Sequence, residues 1–309
     1  MHNLRTRHPT RDDLPALAAF ANTIAQMDAG LPQVTSAAEM QALWDAPDVN
    51  LARDMLLVVD GQDNIVGNLS ALLLPPYTQV YQEINLHPIY RNRGLEDFLL
   101  ERSEEHARAN ADVAPADAPL RIVHGVYARQ QWLQKLLQNS GYTLFETVQP
   151  YTLQLDGPPP FTETPPGATL RPYDATSDRD RLLGTLREIQ QHHTDATLPT
   201  GETVLHPATV DPTLVFALWE GNAVVAVVVA ALDDDSGRVD YLGVRHQWAE
   251  SGALRAVLLT AVRTLYQRGA RAVQAMVRNP ATFPFLATLD AVGFAAQQAS
   301  LIFVKLLRQ

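Results

Sequence analysis

The chain has 309 residues, with 24 Lys and Arg against 34 Asp and Glu, a formal net charge of −10, and no Cys. At roughly 150 residues per domain the length points to two domains. The negative balance argues against a general nucleic-acid binder, which needs clustered cations to neutralise phosphates. The absence of Cys excludes disulfides, thiolate nucleophiles and Cys-ligated metals.

The longest apolar run, Ala223 to Leu232, falls well short of the ~20 residues needed to cross a bilayer and reads as a buried strand. Met1 to Arg7 lack the apolar stretch of a signal peptide. The expectation is a soluble, cytoplasmic protein with no membrane partner.

Taken in order, the first half opens with a strand from Asn3 to Arg7 and a polar-capped helix. Strands Met55 to Asp60 and Ile65 to Leu74 follow, joined at Gly61-Gln62-Asp63-Asn64, residues that tolerate positive φ or bond their own backbone. A third strand, Val80 to Leu86, leads to a long helix. Strand Leu120 to Val126, a helix ending at Gly141-Tyr142 and strands finishing near Leu153 complete the half.

Gly157-Pro-Pro-Pro160 and Pro165-Pro166-Gly167 then form a stretch in which proline removes backbone donors, read as a semi-rigid linker. Beyond it the same order recurs: strand Thr169 to Pro172, a helix, strands Leu214 to Trp219 and Ala223 to Leu232, strand Arg238 to Val244 and a long helix. In that helix Leu254, Val257, Leu258, Ala261, Val262 and Leu265 share one face of a 3.6-residue period. Strand Ala272 to Val277, a helix ending at Gly293-Phe294 and strands finishing near Leu306 close the half. Matched glycines lie 221 − 61 = 160, 252 − 94 = 158 and 293 − 141 = 152 positions apart, the near-constant offset of a tandem duplication. The boundaries read as 1–156, a linker at 157–167, and 168–309.

The chemistry concentrates after the third strand of the first half, in Leu86-His-Pro-Ile-Tyr-Arg-Asn-Arg-Gly-Leu-Glu96. A strand-to-helix loop leaves the first helical N–H groups without partners and aims the positive end of the helix dipole outward, which suits phosphate. Gly94 permits close backbone approach, and Arg91 and Arg93 can add charge-assisted hydrogen bonds. His192 and His193, adjacent and so facing different directions on a helix, do not make a metal pair, and no metal is expected.

Pro88-Ile-Tyr-Arg-Asn-Arg-Gly94 resembles the acyl-CoA pyrophosphate loop of the GNAT (GCN5-related N-acetyltransferase) superfamily, Gln/Arg-x-x-Gly-x-Gly/Ala, with Arg91 and Gly94 matching and Glu96 in the last small position. In the second half Gly252 is kept, while Ala249 and Leu254 depart from the pattern. The resemblance covers nearly the whole chain. It implies two tandem acyl-CoA N-acyltransferase-like domains of α/β class, each a mixed, mostly antiparallel sheet flanked by helices.

It further implies direct acetyl transfer from acetyl-CoA, as cosubstrate, to a small-molecule amine in a ternary complex. Leu86, Arg91, Asn92, Arg93, Gly94, Leu95 and Glu96 would bind the cofactor. Strand carboxylates Glu83 and Asp240 are the candidate bases, with Gln82 aligned to Asp240. The family's usual acid, a Tyr four residues before the late Gly, is replaced by Leu137 and Leu289, which leaves Tyr142 or Tyr127 as substitutes. Trp44, Tyr77 and Tyr81 are candidates to line an acceptor pocket. Two alternatives stay open: a noncatalytic CoA-sensing or partner-binding module, and a catalytic C-terminal half as in tandem relatives resembling mycothiol synthase. The sequence sets neither the acceptor nor the oligomeric state.

Overall fold

The computed structural model describes residues 4–31, 33–115, 117–191, 201–206, 208–282 and 285–308. The expectations that fall on Asn3, His192 and His193 lie outside the described residues. The chain forms two compact units, 1–147 with 298–309, and 148–297.

Unit one contains β1 (Arg5–Arg7), α1 (Leu14–Ala29), α2 (Ala37–Trp44), α3 (Leu51–Asp54), β2 (Met55–Val59), β3 (Ile65–Leu73), β4 (Gln79–Leu86), α4 (Leu95–Ala109), β5 (Leu120–Tyr127) and α5 (Gln131–Asn139). β6 (Thr143–Gln154) starts in unit one and finishes in unit two. Unit two continues with β7 (Thr169–Pro172), α6 (Arg179–Gln191), α7 (Gly201–Val204), β8 (Val215–Glu220), β9 (Ala223–Asp233), β10 (Ser236–Val244), α8 (Ala253–Gln267), β11 (Ala272–Arg278), α9 (Leu286–Val292) and β12 (Ala295–Ala296). The last strand, β13 (Ser300–Arg308), returns to unit one.

Each unit has a mixed sheet that is mostly antiparallel. In unit one, β1 to β4 pair antiparallel in sequence, β4 pairs β5 parallel, and β13 pairs β5 antiparallel. In unit two, β7 to β10 do the same, β10 pairs β11 parallel, and residues 148–154 of β6 pair β11 antiparallel. The long helix of each unit covers one sheet face. Leu99, Leu100 and Ala107 of α4 pack on Val80, Ile84, Leu120 and Ile122, and the apolar stripe of α8 packs likewise on β9 to β11.

These units differ from the boundaries read in the sequence. The final strand of each sequence half lies against the parallel strand of the other half, β6 on β11 and β13 on β5. Period-2 alternation identifies a strand without saying which edge it joins, and duplicated edges accept either copy. Residues 157–167, expected as a linker, fall within unit two. There the Pro159 carbonyl accepts from Arg263 Nη1 at 3.1 Å, and the Arg263 guanidinium lies over the Phe161 ring.

α4 is tied to the short α3 by a buried contact, His106 Nε2 to Asp54 Oδ1 at 3.2 Å, with Arg53 Nε at 2.6 Å and the Asn50 N–H at 2.7 Å on the same carboxylate. Burial alone would push the Asp54 carboxyl up, but the bonds from His106, Arg53 and Asn50 outweigh it and hold the group at about 2, below its ordinary 3.8. A depressed carboxyl stabilises the fold above its unfolded value, and that contribution is lost as pH falls toward 2. Denaturant unfolding between pH 4 and pH 2 should therefore show a steeper loss of stability in the wild type than in Asp54→Asn. The difference should be about 2 kcal/mol.

Candidate functional site

The site begins where the parallel pair of unit one comes apart. β4 and β5 run in register from Gln79↔Arg121 to Gln82↔His124 and pair no further, although β4 continues to Leu86 and β5 to Tyr127. The His87 N–H bonds to the Val66 carbonyl at 2.9 Å, so by alternation the backbone groups of Ile84 and Leu86 face the opening instead of β3. At the vertex of the opening, Gln82 and His124 are buried and each leaves one nitrogen, Nε2 and Nδ1, without a partner. Burial pushes His124 down to about 3, so the ring is neutral.

Arg91 closes the far end. Its Nε and Nη2 donate to the Leu86 carbonyl at 2.9 and 2.7 Å, and Nη1 and Nη2 hold Asp28 at 2.8 and 2.7 Å. Gln130 Nε2 and Trp132 Nε1 donate to the same carboxylate, and the guanidinium lies 4.3 Å from the Trp132 ring centre. Both members of the ion pair are at least nine-tenths buried. The expected phosphate role of the Arg91 side chain is thus corrected: the unpaired strand carbonyl and a buried carboxylate take four of its five N–H donors. Arg93 is exposed and has no ion-pair partner among the described residues, so the solvent-facing cation of the motif is Arg93.

Between them the loop has the backbone the motif requires. Asn92 and Gly94 sit at φ 58° and 81°, a conformation that favours glycine, and a Cβ on Gly94 would meet only open space. Leu95 is half-buried at the start of α4, while Leu86 is fully buried. Glu96 does not point outward. Its Oε1 accepts the Asn92 N–H at 2.6 Å, and the buried Oε2 has no partner. The chain's own carboxylate therefore takes one of the loop amides that an incoming phosphate would use.

On the opposite face of the sheet from α4, a cavity of about 430 Å³ lies between α1, α2 and strands β2 to β4. Glu83 lines it, with Asn85 Nδ2 donating to Glu83 Oε1 at 2.7 Å, and so do Asn68, Ser70, Asn85, Tyr127 and Trp44. Tyr127 is pushed up by burial and by the Glu83 charge, so its hydroxyl stays protonated. Tyr142 is buried in the core and donates to Gln82 Oε1 at 3.0 Å. Tyr77 donates to Asp48 beside a separate, smaller polar cavity, and Tyr81 is exposed outside the larger one. Of the aromatic pocket candidates, only Trp44 lines the cavity beside Glu83.

Unit two repeats the framework with different contents. β10 and β11 pair from Ser236↔Ala272 to Val239↔Ala275 and then part in the same way. A bulge in β10 between Val239 and Tyr241 makes Asp240 the extra residue. Counting from the parallel registers, Gln82 matches Val239 and Glu83 matches Tyr241, which corrects the alignment of Gln82 with Asp240. Asp240 is bound by Arg238 Nε at 2.5 Å, and the same guanidinium holds Asp233. Its carboxylate belongs to a surface ion cluster.

The Tyr241 ring lies across Gly243, where a Cβ would come within 2.8 Å of it, and packs among Leu182, Leu186 and Ile189 of α6. The space that is open over Glu83 in unit one is filled at this position in unit two. In the loop, Gly252 keeps φ 83°, and Ser251 Oγ takes the Ala253 N–H.

At 23% identity, the chain superposes on a GCN5-related N-acetyltransferase from Sphaerobacter thermophilus with a TM-score of 0.78 over 100% of this chain and 97% of that one. A tandem GNAT protein from the clavulanic acid biosynthesis pathway gives 0.57 at 15% identity over 98% of both chains. The fold is that of a tandem GNAT. No protein-family model and no curated protein matches the sequence. Within the GNAT fold, the parted parallel strands and the glycine loop are present in both units, whereas the cavity over Glu83 belongs to unit one. Among the described residues no group of three or more His, Asp or Glu is arranged to hold a metal, and no helix is long and apolar enough to cross a membrane.

The polar floor at Asn68, Ser70 and Asn85 escaped the sequence reading. Asn68 and Ser70 interrupt an apolar strand two residues apart, a spacing that puts both on one face and is their only signal.

Two outcomes test this geometry. Arg91→Ala should destabilise the protein by about 3–5 kcal/mol in denaturant unfolding, because it strands Asp28 and the Leu86 carbonyl, and Arg91→Lys should not restore the loss. Glu96→Ala should free the Asn92 N–H and tighten acetyl-CoA binding in calorimetry by roughly tenfold at low salt, about 1.4 kcal/mol. Weaker binding would mean that Glu96 shapes the loop for its ligand.

Proposed function

We propose that the protein is an N-acetyltransferase whose unit one moves an acetyl group from acetyl-CoA to an amine held in the cavity over Glu83. The observation that carries this is a carboxylate facing a small-molecule-sized cavity where β4 leaves β5. Acetyl-CoA supplies the activated thioester. The residues fit that cosubstrate at the parted strands and at Gly94, provided that Glu96 rotates away from Asn92.

The chain then has four tasks. The N–H groups of Ile84 and Leu86, facing the opening, are placed to donate to a carbonyl oxygen as it gains charge. Glu83 takes a proton from the acceptor, which must lose its ammonium form before it can attack. Tyr127, protonated and beside Glu83, is the proton source for the departing thiolate. Arg91 keeps the end of β4 and its loop fixed by occupying the Leu86 carbonyl, which makes it a positioning residue.

Unit two serves as a noncatalytic copy in this reading. Tyr241 fills the place of the acceptor, and Asp240 is neutralised by Arg238. This weighs against catalysis by the C-terminal half.

Acetyl-CoA consumption with an amine panel tests the assignment. Glu83→Gln should lower kcat by about 100-fold or more, the usual worth of a general base, while Asp240→Asn stays near wild type. Tyr127→Phe should lower kcat with little change in KM. An unaffected Glu83→Gln enzyme that still transfers acetyl to amines would remove Glu83 from the mechanism, and a large loss with Asp240→Asn alone would move it to unit two.

A further inference from the structure

The cavity over Glu83 has a divided lining that specifies more than "an amine". Its floor is the polar patch formed across two strands, with Asn68 opposite Asn85 and Ser70 opposite Glu83 in the β3–β4 register. Its walls are apolar: Leu17 and Ala21 from α1, Met40, Leu43 and Trp44 from α2, and Leu57 from β2. Glu39 and Glu83 are the charged residues in the lining, and no Lys, Arg or His is among them. The Glu39 carboxylate is committed to the Ser36 N–H and hydroxyl that begin α2, at 2.7 and 2.8 Å. Glu83 has no cation against it among the described residues.

Asn68 supplies an independent sign. It lines the cavity, is more than nine-tenths buried, and its Oδ1 has no hydrogen-bond partner. A buried acceptor left unsatisfied is costly, and a turn of this shielded amide toward the cavity would let a donor from the occupant relieve that cost. A primary ammonium offers three N–H donors and no acceptor. The floor presents two matching acceptors, the Glu83 carboxylate and Ser70 Oγ, and Asn68 Oδ1 becomes the third when its amide turns toward them. An amino acid would bring a carboxylate into a lining without cations, and an amino sugar would turn its hydroxyls toward Leu17, Met40 and Trp44.

We infer that this cavity binds a primary monoamine with a compact apolar body, an alkyl- or arylalkylammonium, with its head on Glu83, Asn68 and Ser70 and its body against Trp44, Met40 and Leu17. The inference rests on the acetyl-transfer reading for its consequence, that this cation is the acceptor, but the binding stands without it. In the transfer, one ammonium proton passes to Glu83 and the nitrogen pair forms the N–C bond as the C–S bond breaks. The second nitrogen proton is lost as the thiolate is protonated, leaving an N-alkylacetamide, free CoA thiol and one net proton.

The test uses the full chain and three probes in calorimetry: phenethylamine, phenylalanine, which adds only a carboxylate, and glucosamine. Phenethylamine should bind, phenylalanine and glucosamine at least tenfold more weakly. Glu83→Gln should weaken phenethylamine at least tenfold, and Glu83→Tyr, which reproduces the side chain of the matched position in unit two, should abolish its binding. Equal or tighter binding of phenylalanine or glucosamine, or phenethylamine binding indifferent to both variants, overturns the inference.

Mass spectrometry of the same mixtures with acetyl-CoA separates it from the underlying reading. Phenethylamine that binds as described and is not acetylated leaves the inference standing and removes the transferase reading. Glu83-dependent acetylation of glucosamine or phenylalanine in preference to phenethylamine does the reverse.

Discussion

Two parallel strands that stop pairing part-way along their length impose the central constraint on unit one. Beyond Gln82↔His124, β4 still has backbone donors and acceptors pointing toward β5, and β5 no longer answers them. Unpaired backbone groups away from water are expensive, so each must find another partner. Arg91 answers the Leu86 carbonyl, and its charge is balanced by Asp28 near the C-terminal end of α1 and packed on Trp132 at the start of α5. One side chain thereby joins β4, α1 and α5, and fixes the loop that begins α4. The amides of Ile84 and Leu86 stay available because only the carbonyl end of the opening is filled.

The same framework occurs twice, and the copies differ at the positions just beyond the parting of the strands. Glu83 and Asn85 face a cavity in unit one, whereas Tyr241 and Gly243 cooperate in unit two, the glycine lacking a side chain so that the tyrosine ring can lie flat across it. Ala249 stands where Arg91 would be, so the strand end of unit two has no guanidinium strut at that position. Duplication leaves the sheet order and the parted strands intact because these are set by long-range burial over many residues, while the space above the parted strands depends on a few side chains and changes with two substitutions.

Most of the fold could be read from the sequence because its periodicities are strong. The stripe from Leu254 to Leu265, the turn glycines and the near-constant offset between halves each reflect burial repeated along the chain. The strand exchange could not be read, since β6 and β13 carry similar alternation and nothing local distinguishes an edge in one unit from an edge in the other. The loop motif located a strand-to-helix turn with the left-handed glycine it requires, but a spacing says where a side chain starts and not where it ends. Arg91 turns inward because a carbonyl and a buried Asp28, 63 residues earlier, outcompete solvent. The alignment of Gln82 with Asp240 failed for a related reason: a bulge shifts register by one residue without any mark in the hydrophobic pattern. Glu96 was legible as a departure from the motif, though its bond to Asn92 was not.

That bond changes how the glycine loop should be understood as an anion site. An anion is already present, covalently part of the chain, and it sits at the positive end of α4, where the helix dipole favours negative charge. Affinity for an external phosphate is therefore a difference between two anions competing for the same amide, not the full value of a free loop. The internal anion has the entropic advantage of being tethered, but it satisfies only one of its oxygens: Oε2 remains buried and unpartnered. Rotation of Glu96 into solvent would rehydrate that oxygen and offset part of the cost of the exchange. Arg93, exposed beside the loop and without an ion-pair partner among the described residues, gives a phosphate an electrostatic attraction that Glu96, turned into the loop, does not draw on. The balance at this loop is set by two charges of opposite sign three residues apart, one inside the cradle and one outside it.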